Sequence, residues 1–141
     1  LATDISSSEE ALIHFSQNIN FDIMVFIQPT SPLLCFSDII KGLDLMKTGE
    51  YDSIFSVYKE HWIPRWDLNI KPINWSIVNR PRRQDMDNQY VENGAFYITT
   101  KEQFANSGIR YGGRTGVVEM PIDRSFQIDT YQDLDIIKKL L

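Results

Sequence analysis

The sequence predicts an α/β domain built around a mainly parallel sheet, and three observations predict it. "FDIMVFIQ", residues 21–28, is a continuous apolar run of strand length, the pattern of a strand covered on both faces. A helical repeat and a second strand-like run follow it directly, which makes a βαβ unit; right-handed crossovers then favour a parallel sheet. At 141 residues, 43% of them apolar, the chain is long enough for one compact domain with a real core and too short for two.

The elements read in order as follows. "ISSSEEALIHFSQNI" pairs serine caps with glutamates three positions on (Ser6 with Glu9, Ser7 with Glu10). Ala11, Leu12, Phe15 and Ile19 then recur at helical spacing. After the first strand, "FSDIIKGLDLMKTG" places Phe36, Ile39, Ile40, Leu43 and Met46 at helical spacing and ends on Gly49. "YDSIFSVYK" is the next strand. Residues 59–92 then leave the rhythm: Pro64, Pro72 and Pro81 alternate with Trp62, Trp66 and Trp75, which reads as an excursion or arm. "NGAFYITT" resumes strand character, "KEQFANSG" is a short helix, and "TGVVEMPI" is a further strand. "SFQID" reads as a short last strand. "TYQDLDIIKKLL" is a closing helix with Leu134, Ile137, Leu140 and Leu141 on its apolar side.

Charge and composition narrow the partners. A formal net charge of −5 gives no attraction for a polyphosphate backbone, so nucleic acid is not an expected partner. No run approaches the roughly 18 apolar residues of a membrane span. A single cysteine, Cys35, leaves no internal disulfide and is compatible with a reducing cytoplasm. The chain opens on Leu1 in mid-pattern, which reads as a fragment with an upstream part.

Three stretches could carry chemistry. The first strand ends in Gln28-Pro29-Thr30-Ser31-Pro32. In an open α/β sheet the crevice beyond the strands' carboxyl ends binds ligands, and this loop delivers an amide and two hydroxyls there. Its prolines make it stiff. The competing reading is a plain turn whose Ser or Thr caps the next helix. In "NRPRRQDMDNQYVENGAFYIT", Arg80, Arg82 and Arg83 form a cationic cluster suited to carboxylates or phosphates, or simply a solvated loop. Asn93-Gly94 there is a turn or a close approach of backbone to ligand, with Tyr97 nearby. In "SFQIDTYQDLD", Gln127 and Asp129 share a strand face. Asp129 could ligate Mg²⁺, or Asp129 or Thr130 could cap the last helix. His14, His61 and Cys35 have no partners at catalytic or metal spacing, and no glycine-rich phosphate loop is present.

Taken in order, "LATDISSSEEALIH", "IQPTSPL", "RPRRQD", "YVENGAFYIT", "EMP" and "IDTYQDLD" resemble the acylneuraminate cytidylyltransferases, and span nearly the whole chain. The resemblance implies a Rossmann-like, three-layer nucleotide-sugar transferase fold, with residues 59–92 as an excursion that exchanges contacts with a second subunit in a homodimer. It implies a reaction of CTP with a nine-carbon 2-keto acid sugar, of N-acetylneuraminate, legionaminate or pseudaminate type, that gives the CMP-sugar and pyrophosphate with Mg²⁺ as cofactor. By motif match Ser8 lies at the nucleotide, Gln28 contacts the sugar, and Asn93, Gly94 and Tyr97 line its pocket. Arg83 reaches across the dimer to an anionic group, and Asp129 holds Mg²⁺. Gln127 stands where the family often has the first aspartate of Asp-Ile-Asp; an amide oxygen can ligate Mg²⁺ but brings no charge. The family's basic phosphate-binding segment would precede Leu1, so this fragment is not expected to catalyse alone, and its sheet should expose an apolar edge. Two alternatives remain: a non-catalytic binding or assembly module of the same fold, and an enzyme for the eight-carbon acid of lipopolysaccharide, against which "RRQD…NGAFYI" argues.

Overall fold

The computed structural model describes residues 7–140. The Ser6–Glu9 cap pair, the "LATDIS" part of the first motif and Leu141 lie outside the described residues. Helix α1 spans Ser8–Asn18, and Ser7 caps it by accepting the Glu10 N–H at 3.2 Å, as the spacing of the two residues predicts. Strand β1 (Ile23–Ile27), α2 (Phe36–Lys47) and β2 (Ser53–Glu60) follow; then come β3 (Gln89–Thr100), α3 (Lys101–Ser107), β4 (Thr115–Glu119) and α4 (Tyr131–Ile137).

The sheet is mixed, which corrects the expectation of a mainly parallel one. Its strand order is β1-β3-β2-β4; β3 pairs antiparallel with both β1 and β2, and the β2–β4 pair is parallel. The βαβ reading was sound in direction, because β1 and β2 do run the same way on either side of α2. The 12-residue β3 lies between them and reverses both ladders. A strand's residue pattern records which faces are buried, not which partner it takes. "SFQID" is a second correction. Those residues form no strand: Ile128 donates one backbone hydrogen bond to Thr30 O at 2.9 Å and the segment is otherwise irregular.

Packing follows the alternation along β3. Phe96 and Ile98 face α2 with Ile54, Val118, Met120 and Met46 in the main core. Gly42 brings α2 close: a Cβ there would lie 2.6 Å from Ile98 Cδ1 and 3.2 Å from Phe96 Cε2. Thr99 points the other way and is partnered by Met24, which packs with Leu12 of α1 and Phe104 of α3 in a second cluster. Helices therefore cover both faces. β1 is an edge strand on which Ile23, Val25 and Ile27 stay exposed.

The excursion is anchored by its strands. β2 and β3 pair out to Glu60↔Gln89, so residues 59–60 and 89–92 belong to the sheet and the arm proper is 61–88. Trp66 packs edge-on against Trp75 with ring centres 4.9 Å apart, Arg80 lies over the Trp75 ring, and Trp62 is buried. Leu68, Ile70, Ile73, Ile77 and Val78 are left exposed along the arm.

Candidate active site

The strand that frames the site is interrupted where the sequence has Asn93-Gly94. Two steps along β2, Phe55 to Val57, are matched by five along β3, Tyr97 to Glu92, so residues between them bulge out of the ladder. Ser56 stitches the bulge: its hydroxyl accepts the Phe96 N–H at 3.0 Å and contacts Phe96 O at 3.3 Å. Gly94 takes φ +66°, the left-handed conformation that suits glycine. Gln28 N donates to Ala95 O at 3.0 Å, which sets the end of β1 beside the bulge.

Gln28, Gly94 and Gln127 are brought together there. A Cβ at position 94 would lie 2.3 Å from Gln127 Nε2 and 2.9 Å from Gln28 Oε1. The positive φ that a turn-like glycine supplies and the room taken by these two amides both require the glycine; the approach is by the chain's own side chains. The loop beyond Gln28 is a tight turn, with Ser31 N donating to Gln28 O at 3.2 Å. Neither Thr30 nor Ser31 caps α2. The Asp38 carboxylate does so by accepting the Cys35 N–H at 3.2 Å, and the Ser31 hydroxyl is buried without a partner.

A cleft of about 300 Å³ opens beside this point, lined among others by Tyr58, Glu92, Asn93, Gln127 and Asp129. That is the small end of the range for small-molecule sites. Asn93 forms its wall with both ends spent inside the protein: Nδ2 donates to Ser125 Oγ at 3.0 Å and Oδ1 accepts the Ala95 N–H. Of the two caps considered for α4, Thr130 serves. Its hydroxyl accepts the Asp133 N–H at 3.2 Å, and the Asp133 carboxylate accepts from Thr130 N and Asp129 N. The Thr130 hydroxyl, which also donates to the Asp133 carboxylate at 2.8 Å, and then the two backbone N–H donors hold the Asp133 carboxyl below its ordinary value. Asp129 is left exposed, and its carboxylate takes no hydrogen bond or ion pair from any described residue.

Tyr97 is buried around the corner, with rings of Phe26 and Tyr111 on either side at 6.1 and 5.9 Å. Its hydroxyl donates to Glu92. Burial first, and the Glu92 hydrogen bond second, push the phenol well above its ordinary value, so it stays a neutral donor. Arg110 lies 4.9 Å above the Tyr97 ring and pairs with Glu9 at 2.6 Å, which ties the first turn of α1, where Ser8 sits half-buried, to this face. Arg83 stands apart on the arm in a one-turn 3₁₀ segment. It is exposed and forms no ion pair with a described residue, whereas Arg82 is engaged by Asp85 at 2.7 Å.

Sequence reasoning missed Glu92, Arg110 and the Asp38–Arg124 pair. Arg110 lies in the stretch between α3 and β4 and Asp38 lies in a helix repeat; each depends on a partner dozens of residues away. Of the described carboxylates that line the cleft, Glu92 and Asp133 already accept hydrogen bonds and Asp129 does not. Among the described residues no cluster of three or more His, Cys, Asp or Glu side chains could hold an ion unaided. A single free carboxylate fits Mg²⁺, which keeps waters and completes its shell with substrate phosphates.

No protein-family model matches the chain. Over 143 aligned residues it is 35% identical to N-acylneuraminate cytidylyltransferase A of Danio rerio and 34% identical to the N-acylneuraminate cytidylyltransferase of Oncorhynchus mykiss. Each alignment covers 96% of this chain and 32% of the relative, so the chain spans about a third of the length of the curated relatives it matches. In fold it is similar to 4-diphosphocytidyl-2C-methyl-D-erythritol synthase of Anaerococcus prevotii, with a TM-score of 0.63 at 10% identity over 96% of this chain and 66% of that one. The likeness carried by the six ordered motifs thus extends along almost the whole sequence: the chain is a homologue of the N-acylneuraminate cytidylyltransferases.

Proposed function

We propose that this chain forms the sugar-binding part of a cytidylyltransferase that joins CTP to a nine-carbon 2-keto acid sugar of N-acetylneuraminate, legionaminate or pseudaminate type. The observation that carries the reading is the convergence of Gln28 and Gln127 over Gly94 at the rim of a cleft, in a chain related to N-acylneuraminate cytidylyltransferases. The anomeric oxygen of the sugar forms a bond to the α-phosphorus of CTP, the bond from that phosphorus to the bridging oxygen breaks, and pyrophosphate leaves. The anomeric hydroxyl gives up its proton to water.

The protein's part in such a reaction is position and electrostatics rather than covalent work. Gln28 would hold the sugar by its amide, with Gly94 leaving room for the Gln28 and Gln127 amides, Asn93 forming the cleft wall and Tyr97 bracing the strand behind it. Tyr97, kept neutral, acts as a donor and not as a base. Ser8 would lie toward the nucleotide. Asp129 would hold Mg²⁺, which offsets charge on the phosphates when bound; Gln127, two residues away, brings no charge to it. Arg83 would serve a neighbouring subunit, since its guanidinium is exposed on the arm. The homodimer is supported by that arm, whose apolar residues are uncovered in the single chain. A Rossmann-like three-layer architecture is supported by helices on both faces of the sheet. A cytoplasmic site of action is supported by the free, exposed Cys35. None of the described helices is long and apolar enough to cross a membrane.

The test is product identification. The full-length protein is given CTP, Mg²⁺ and each sugar acid separately, with the eight-carbon acid as a comparison, and products are weighed by mass spectrometry. A CMP adduct of a nine-carbon acid supports the reading. An adduct of the eight-carbon acid alone replaces it, and sugar binding without any adduct leaves a non-catalytic module.

A further inference from the structure

We infer that Gln127 is a second sugar-reading amide that works with Gln28, and not a ligand of the metal; this rests on the sugar-acid reading above. Three observations point the same way. Gln127 Nε2 and Gln28 Oε1 approach the same face of Gly94, at 2.3 and 2.9 Å from its missing Cβ, so a donor and an acceptor sit side by side. The backbone holds them in register, because Ile128 N donates to Thr30 O at 2.9 Å and ties the segment of one glutamine to the loop of the other. Asp129, by contrast, is exposed and faces the cleft with a free carboxylate.

Chemistry separates the two roles. A neutral amide offers two N–H donors and a carbonyl acceptor, which suits a hydroxyl or acylamino group that both gives and takes a hydrogen bond. A hard divalent cation prefers charged oxygen, and Asp129 supplies it. With its nitrogen turned onto Gly94 beside the Gln28 oxygen, and its side chain lining the cleft, Gln127 completes a donor–acceptor pair at the cleft's edge. A side chain at position 94 would occupy the place where the two amides meet.

The experiment uses the full-length protein and separates sugar from metal. The sugar KM and the Mg²⁺ concentration for half-maximal rate are measured for wild type, Gln28→Ala, Gln127→Ala, Gln127→Asp and Asp129→Asn. A neutral hydrogen bond corresponds to about a three- to tenfold change. Gln127→Ala should raise the sugar KM by that factor and leave the Mg²⁺ requirement unchanged, as Gln28→Ala should. The double alanine variant should lose less than the product of the two, since both amides hold one group. Gln127→Asp should also raise the sugar KM, because a carboxylate donates nothing and repels an anionic substrate. Asp129→Asn should give the opposite signature. Its Mg²⁺ requirement should rise by more than roughly tenfold, the scale on which even an outer-shell partner acts. A raised Mg²⁺ requirement in Gln127→Ala, or a lowered one in Gln127→Asp, overturns the inference.

A second readout needs no turnover. The melting temperature is followed with sugar acid and CMP in the presence of a chelator. Wild type should be stabilised, and Gln127→Ala, melting at the wild-type temperature without ligand, should lose the gain. Stabilisation without turnover, lost in the variant, sinks the enzyme reading and keeps the inference. Turnover with KM and stabilisation unchanged in Gln127→Ala sinks the inference and keeps the enzyme. Neither turnover nor stabilisation of the wild type sinks both.

Discussion

Arg124 closes a two-pronged ion pair on Asp38, Nη1 to Oδ2 at 2.5 Å and Nη2 to Oδ1 at 3.0 Å, across 86 residues of chain. Asp38 is fully buried at the start of α2 and also takes the Cys35 N–H, while Arg124 reaches Leu33 O at 3.4 Å. One contact thus fastens the loop after Gln28 to the segment that leads to Gln127 and Asp129. Removing one partner of a buried pair strands the other charge, at about 3–5 kcal/mol. Arg124→Leu should cost about 3 kcal/mol, the lower end of that range, because the arginine side chain is 26% exposed. Urea unfolding of the full-length protein measures it, and an unchanged midpoint would contradict the assignment.

The same pair predicts how the protein meets acid. Burial pushes the Asp38 carboxyl up, but the hydrogen bonds from Arg124 and Cys35 and the charges of Arg124 and Lys41 together hold it below 3.8. The hydrogen bonds of Arg114 hold the Asp52 carboxyl down at about 2. A folded-state pKa below the unfolded one gives stability that is present above the unfolded value and lost as pH falls through the folded one. Stability should therefore be flat with respect to these two groups above about pH 5 and fall below about pH 4. Arg124→Leu should flatten part of that fall.

Two glycines should cost stability alike when changed to alanine but differ in their effect on the site. At Gly94 the new Cβ meets the far ends of two glutamine side chains, which can swing away, so the damage falls on the site. The positive φ adds about 1–2 kcal/mol. Gly94→Ala should fold with that modest loss and raise the sugar KM at least as much as Gln28→Ala does. At Gly42 the Cβ meets Ile98 and Phe96, both fully buried. Overpacking there costs about 1–3 kcal/mol and the helical gain of alanine returns up to about 1. Gly42→Ala should lower the unfolding midpoint and leave the KM of the folded fraction unchanged.

Much of this was legible in the sequence because it is local. The Ser7 cap, the Gly49 stop, the α2 helix and the strand at β1 are decided within a few residues and emerge as read. β1 is not covered on both faces as its apolar run predicts: as an edge strand it leaves Ile23, Val25 and Ile27 exposed. The Gln28 loop, the Gly94 approach and the Asp129 neighbourhood were legible as separate stretches. Their meeting was not, because it depends on β3 inserting between β1 and β2 and then bulging at Asn93-Gly94. "SFQID" alternates like a strand, but only Ile128 finds a backbone partner on a neighbouring loop, so no ladder forms. Arg110 and Arg124 gave no local signal, since a guanidinium's role lies in what it reaches.

The arm predicts the oligomeric state. Leu68 and Val78 are almost wholly exposed, at 101% and 96% of reference, next to a tryptophan pair that braces the backbone. If the arm forms the homodimer proposed above, Leu68→Asp with Val78→Asp should shift sedimentation of the full-length protein from dimer to monomer and reduce turnover, because Arg83 would then lack the neighbouring site proposed for it. A sedimentation coefficient unmoved by both substitutions would contradict a dimer formed through the arm.

The central claim is that Gln28 holds a sugar acid for attack on CTP. Its most direct test is the initial rate of pyrophosphate release by the full-length protein with CTP and Mg²⁺, with neuraminate, legionaminate and pseudaminate offered one at a time. Wild type and Gln28→Ala are compared. Release that depends on one of these acids, with its KM raised about three- to tenfold in the variant, is the predicted result. No release with any of them, from a folded protein that still binds one, would contradict it.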